Sequence, residues 1–406
     1  MAAKEKLWNR YFILALIVTI GVNLTCNLLL STISIYAKQI TGTDTYAGIM
    51  TGAFTLAALI IRLFAGKLLD KLGRKKILIL GVVITALATV AYVFTNEISL
   101  LVIFRVIQGV GFGISSTAIA TIVTDVTPQS RMLEGIGYSG VGITITTAIG
   151  PSMALNIVGK EYDKFNLLFI TTFAVAVVTM VIAFFLSYEK NIDIDSKKDK
   201  VEKSDANGVG ISKDIVVPGF ILFLAAVAES TILSFTALYG IELGFSNIGL
   251  FFTINALGIL ASRLFINQIV NRFGVNIVVS IGLLIFAGSI WGMSMVNTMH
   301  MLSLFGFLCG IMMGSLLPII NVMILNTVSK DKKGIANAIY YALLDSGYGI
   351  GSILWGFIVV KFGYRTIYTC AGIALGIAFL IFKLNIGYNK TIILKKSNST
   401  KNNINQ

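Results

Sequence analysis

Apolar runs of about 18 to 25 residues recur along nearly the whole chain, each long enough to cross roughly 30 Å of hydrocarbon as a helix. They predict twelve spans, near residues 10–36, 46–66, 77–95, 99–124, 134–157, 165–188, 215–240, 246–267, 277–296, 301–325, 335–358 and 366–387. The runs are continuously apolar rather than alternating, which selects helices over a barrel: a helix satisfies its own backbone hydrogen bonds where no water reaches. One stretch breaks the pattern, the mixed-charge segment from Glu189 to Asp214. It is too polar to bury a core of its own, so it reads as a flexible connector (189–214) between two six-helix halves, 1–188 and 215–390. The polar tail over 391–406 reads as disordered.

Composition sharpens this picture. The chain is 56% hydrophobic and 13% charged, against about a quarter charged in an ordinary soluble domain. The net charge of +13 would suit a nucleic-acid partner only if the cations formed a patch. They do not. With the N-terminus inside, 23 of the 32 Lys and Arg fall on the cytoplasmic side and five on the other: Lys38, Lys160, Lys164, Lys361 and Arg365. Arg62, Arg105, Arg263 and Lys383 lie within spans. This is a positive-inside distribution, so both termini are expected in the cytoplasm and no nucleic acid is expected as partner. Cys26, Cys309 and Cys370 fall within spans and suggest small packing residues rather than disulfides or a metal site. The first apolar run exceeds a signal-peptide core and no cleavage site follows it, so it is expected to stay in place.

The two halves match at a constant offset of 201 residues. Gly48 pairs with Gly249, Arg62-Leu63-Phe64 with Arg263-Leu264-Phe265, Gly73 with Gly274, Gly109 and Gly113 with Gly310 and Gly314, and Gly150 with Gly351.

Between the second and third spans lies G-K-L-L-D-K-L-G-R-K-K, Gly66 to Lys76, in which two glycines allow a tight turn and Asp70 stands among cations. This resembles the signature loop G-x-x-x-D-R-x-G-R-R/K of the major facilitator superfamily, with Lys71 in place of the usual Arg. The fourth span carries R-V-I-Q-G-V-G-F-G, Arg105 to Gly113, similar to that superfamily's R-x-x-Q-G-x-G motif. In the fifth span Gly137, Gly142 and Gly150-Pro151 look like a partial copy of its exporter motif, with Thr146 and Ala154 at two glycine positions. The resemblance covers the whole transmembrane part. It implies an all-α membrane protein of twelve helices in two pseudo-symmetric six-helix bundles, with a solute site between them near the midplane.

Alternating access driven by protons needs a buried group whose charge changes, and few candidates exist. Glu229 lies near the centre of span seven; Asp345 lies about ten residues into span eleven, before G-Y-G-I-G. Intramembrane acids are functional by default, although a fixed ion pair between helices would also retain them. Arg105 is costly in hydrocarbon, so it should face the interior and find a partner, and the motif implies a role in coupling or substrate charge. Gln108, Asn23, Asn27 and Asn321 are candidate pathway residues, with Asn255 and Asn326 as further polar groups; each could equally serve as an interhelical hydrogen bond. Arg62 and Arg263, near the cytoplasmic ends of spans two and eight, read as snorkelling or interdomain hydrogen-bonding residues. Gly66, Asp70, Gly73, Arg74 and Arg131 form the expected cytoplasmic gate, Asp70 meeting the start of span eleven near Gly334 and pairing with Arg131. His300 is placed in an outer loop, away from any mid-membrane relay.

There is no phosphate-binding G-x-x-x-x-G-K-[ST] loop and no Cys/His metal spacing, so no ATP use, cofactor, metal or enzymatic activity is expected. The leading expectation is a monomeric, proton-coupled exporter of small amphipathic or drug-like compounds in a bacterial inner membrane. The alternatives are an exporter of a metabolite or metal-chelating compound, or an importer, with Arg105 serving an anionic group, and a membrane sensor that no longer transports.

Overall fold

The computed structural model describes residues 7–188, 213–328 and 333–388. The connector and tail expected at 189–214 and 391–406 lie outside these residues, apart from Lys213 and Asp214, which begin a helix. The helices are α1 (Arg10–Leu30), α2 (Thr32–Thr41), α3 (Thr45–Leu72), α4 (Arg74–Ala91), α5 (Ile98–Val126), α6 (Met132–Val158) and α7 (Phe165–Phe184) in the N-terminal half. The C-terminal half has α8 (Lys213–Glu242), α9 (Gly249–Phe273), α10 (Val275–Met293), α11 (Met299–Leu325), α12 (Lys333–Phe362) and α13 (Tyr364–Tyr388). Among the described residues twelve helical spans are long and apolar enough to cross a membrane, with α1 and α2 together forming the first. Their surfaces keep large apolar side chains outward, Leu63, Leu264 and Leu384 among them, as lipid rather than water requires.

The first span differs in detail from the sequence expectation. It runs on to Thr41 and is broken at Ser31, where Thr32 Oγ1 turns back onto the Leu28 carbonyl at 2.8 Å and competes with regular helix. Several other helices overhang their apolar runs at the end bearing the basic loops. α3 continues through Gly66 to Leu72, so Gly66 makes no turn. Gly73 alone turns the chain, at φ +89°, and Gly274 repeats it at φ +80°. His300 stands in the first turn of α11.

The internal repeat is visible in the packing. A methyl group on Gly109 would strike the Phe54 carbonyl, and one on Gly310 the Asn255 carbonyl, its counterpart at the 201-residue offset. Gly113 against Ala58 and Gly314 against Ile259 repeat the relation one turn on. Small residues let these helices approach backbone to backbone where no hydrophobic drive joins them.

The halves meet along two seams, α3 with α12 and α6 with α9. At the far end, away from the basic loops, α3 and α12 interlock: Gly48 faces the Ser352 carbonyl, Gly52 faces Ile353 and Gly349, and Gly356 faces Thr45. One apolar core continues there from Leu28, Met50 and Phe165 into Phe235, Phe251 and Trp355. At the basic end the N-terminal half instead has a core of its own, with Phe12, Leu69, Ile77 and Ile122. Gly66 and Gly137 near that end have open space beside them. The closest approach of the two halves thus lies at the far end, while at the basic end the N-terminal half keeps a separate core.

Candidate functional site: a charged cleft between the halves

Arg62 lies within α3 and reaches across the seam, its Nη1 pairing with the carboxylate of Asp345 on α12. Nη2 also meets Ser116 Oγ of α5 at 3.3 Å, and the guanidinium lies 5.6 Å from the Phe112 ring centroid. Both side chains are largely shielded, 22% and 13% exposed. A charge taken out of water needs such a partner, and this one belongs to the opposite bundle.

Glu229, on α8, accepts a hydrogen bond at 2.8 Å from the Tyr348 hydroxyl of α12. Tyr341, Asp345 and Tyr348 follow one another at helical spacing on α12, so one face presents two hydroxyls and a carboxylate. Tyr341 is within electrostatic reach of Arg62 and Asp345, and Tyr340 within reach of Glu229, Asp345 and Arg263. Arg263, the repeat mate of Arg62, is exposed and also crosses a seam, donating from Nη1 to the Gly140 carbonyl of α6 at 3.0 Å. These side chains form one polar cluster drawn from both halves. The tyrosines were missed in the sequence, though their register with Asp345 was there to be read.

Arg105 has a different setting. It is fully buried inside the N-terminal half, donating to the Met50 carbonyl at 3.1 Å and to Gln108 Oε1 at 2.6 Å, with the Phe54 ring centroid 4.3 Å away. Gln108 Oε1 also accepts from Tyr92 at 2.9 Å, and its Nε2 donates to Thr89 at 3.1 Å. Arg105 therefore faces the interior and has partners, but in this conformation neither it nor Gln108 lines the cleft. Its Nη2 has no acceptor among the described residues.

The expected gate is not assembled. Asp70 is 63% exposed and pairs with Arg74, four residues on, at 3.3 Å; Arg74 also lies 3.7 Å from Asp125. The expected Asp70–Arg131 pair is absent: Arg131, at the N-cap of α6, forks onto Glu134 in the first turn of that helix at 2.8 and 2.6 Å. Among the described residues no hydrogen bond or ion pair joins Asp70 to α12. The far end carries the cross-link instead: Lys38 Nζ donates to Asp44 at 3.0 Å and to Tyr364 Oη at 2.9 Å, and Tyr364 in turn donates to Asp44.

The asparagines mostly serve packing. Asn23 donates to the Thr19 carbonyl; Asn27 is buried, donating to the Asn23 carbonyl and, at 3.4 Å, to Thr146 of α6. Gly150 lies directly on Asn27, so Gly150, with Pro151 beside it in α6, belongs to the α1–α6 contact, whereas Gly137 touches nothing nearby. Asn255 ties α9 to the Gly306 carbonyl at 2.8 Å, and Asn326 caps α11. Asn321 is half-buried and its Oδ1 has no donor among the described residues.

The family model described as Major Facilitator Superfamily matches residues 12–248 and 219–400. The chain is 25% identical over 342 residues to the staphylopine export protein of Staphylococcus aureus, covering 81% of this chain and 84% of that one. It is 28% identical over 126 residues to the quinolone resistance protein NorA of Staphylococcus aureus, a match covering 31% of this chain and 32% of that one. Its fold is similar to a POT family transporter crystallised with 5-aminolevulinic acid (TM-score 0.77, 15% identity, 94% of this chain and 96% of that one). It is also similar to an inward-facing bacterial homologue of the human lysosomal transporter Spinster (TM-score 0.73, 16% identity, 94% and 97%).

Proposed function

The chain belongs to the Major Facilitator Superfamily and is a multi-pass membrane transporter of small molecules; from that premise we propose that it is a secondary active exporter which exchanges protons for a small amphipathic compound. The observation that carries this reading is the placement of its acids. Glu229 and Asp345 both belong to the C-terminal half, Glu229 held by Tyr348 on the same α12 face as Asp345, and Asp345 is the carboxylate that ties the two halves together through Arg62. A proton arriving at Asp345 removes the charge that holds Arg62, and the α3–α12 seam loses its ionic link. Proton occupancy and the relative position of the bundles are coupled in this way. A cationic group on the cargo competes with the proton for the same carboxylates.

With the basic end facing the cytoplasm of a bacterial cell, as its cations favour, the parted cleft opens inward and the Lys38–Asp44–Tyr364 link closes the outer side. Loading from the cytoplasm then precedes reformation of the Asp70 gate and opening outward. A single polypeptide supplies both bundles, so a monomer suffices.

The second reading, export of a metabolite or metal-chelating compound, draws support from the staphylopine export protein, which matches most of the chain. Assigning its anionic group to Arg105 is disfavoured by the burial of that residue. The deciding experiment measures flux into proteoliposomes with and without a pH gradient, for the wild type, Glu229→Gln and Asp345→Asn. Gradient-driven flux is expected to fall about tenfold or more in at least one variant, while exchange without a gradient persists. Unchanged gradient dependence in both variants would remove the coupling assignment.

A further inference from the structure

Arg62 and Arg263 occupy equivalent positions in the two halves, yet their partners differ. Arg62 has Asp345 across its seam. The position equivalent to Asp345 in the N-terminal half, 201 residues earlier, is Thr144. Its hydroxyl donates to the Gly140 carbonyl at 2.9 Å, the same oxygen that Arg263 reaches at 3.0 Å. The second seam therefore keeps the guanidinium and has lost the carboxylate. Among the described residues no acid pairs with Arg263. One carbonyl engages one of its five N–H groups, which leaves an exposed guanidinium with most of its donors free of protein partners, in the same half as Tyr340 and within its electrostatic reach.

We propose that Arg263 is the specificity-determining residue that binds an anionic oxygen group, a carboxylate in the first instance, on the compound carried; this rests on the transporter reading above. The missing carboxylate of the pseudo-symmetric pair is supplied by the cargo. A groove of about 310 Å³ lies along the same α6–α9 seam, lined by Ile145, Ser152, Asn156, Thr253, Leu257 and Leu260, the last one turn from Arg263. It offers an apolar bed for the body of a molecule whose acid head sits on the guanidinium, while Asp345 and Glu229, on other helices of the same half, receive a basic group. The favoured cargo is amphoteric: an apolar body with one acid and one basic function.

The test uses rhodamine B and its methyl ester, which share one cation and differ by a single carboxylate. Binding of each is measured by fluorescence anisotropy to the full-length protein in phosphatidylcholine nanodiscs. The wild type is expected to bind the acid about tenfold more tightly than the ester, as a guanidinium–carboxylate pair supplies. Arg263→Gln erases that preference, and Arg263→Lys restores part of it. Thr144→Asp, which places a carboxylate beside Arg263 from within, erases it too. Equal binding of the two probes by the wild type, including binding of neither, overturns the proposal, as does an Arg263→Gln variant that weakens both alike or neither. If added phosphatidylglycerol abolishes the preference, the anion on Arg263 is a lipid headgroup and the proposal also fails. Vesicle flux measured in parallel separates the two readings. Acid-selective binding without flux sinks the exporter and leaves the Arg263 assignment, whereas flux without acid preference does the reverse.

Discussion

The two halves share a backbone plan and put their buried polar groups to opposite uses. In the N-terminal half Arg105, Gln108, Tyr92 and Thr89 close a network on themselves, with Met50 completing it, and nothing in that network reaches the other bundle. In the C-terminal half Glu229 is held by a tyrosine of its own bundle, whereas Asp345 is held by an arginine from across the seam. A charge satisfied inside one bundle contributes rigidity whatever the bundles do. A charge satisfied between bundles changes partners whenever they move. The halves thus share their small packing residues but not these acids: 201 residues before Asp345 and Glu229 stand Thr144 and Leu28.

Removing the central charge of the framework should produce the largest effect. Arg105→Ala deletes two charge-assisted hydrogen bonds and leaves a cavity beside Phe54, for a loss of about 3 kcal/mol. Thermal unfolding in detergent should register it, and Arg105→Lys should recover only part. If Arg105→Ala unfolds like the wild type while flux disappears, the framework role is wrong and the residue acts on cargo or protons. A smaller effect tests whether the shared plan is energetically equal in the two halves. Gly109→Ala and Gly310→Ala each drive a methyl group into a carbonyl of the neighbouring helix, at about 2 kcal/mol apiece. Matched losses in unfolding temperature keep the symmetry argument, while a large inequality would restrict it to sequence. The smallest effect concerns the link at the far end. Tyr364→Phe removes the hydroxyl shared by Lys38 and Asp44, weakening that closure by about 1 kcal/mol. Thiol labelling of a cysteine placed at Gly356 should rise in the variant. Equal labelling would mean that the backbone interlock alone holds the far end shut.

The fold was legible because lipid leaves so few options: apolar runs of spanning length become helices, and the glycines at a fixed offset marked the duplication before any packing was known. Helix ends were less legible, since α3 continues past its apolar run to Leu72 and turns only at Gly73. Individual partners were the hardest to read. Arg62 and Asp345 are 283 residues apart, and no local pattern states that their helices form a seam. Asp70 and Arg131 had suitable charges, but Arg74 and Glu134 lie one turn from each and capture them locally. Arg105 has the partners that a costly buried charge needs, and composition alone could not tell whether those partners would be cargo or carbonyls.

The interlock of α3 with α12 bears on how readily such a molecule turns over. Gly48 and Gly356 set backbone against backbone, while Gly52 and Gly349 make room for the side chains of Ile353 and Leu56 from the facing helix. Few rotamers have to change for such surfaces to part and re-seat, since only those two side chains key into the opposing ridge. A close fit and a low barrier to separation thus ask the same of the sequence: small residues on both ridges.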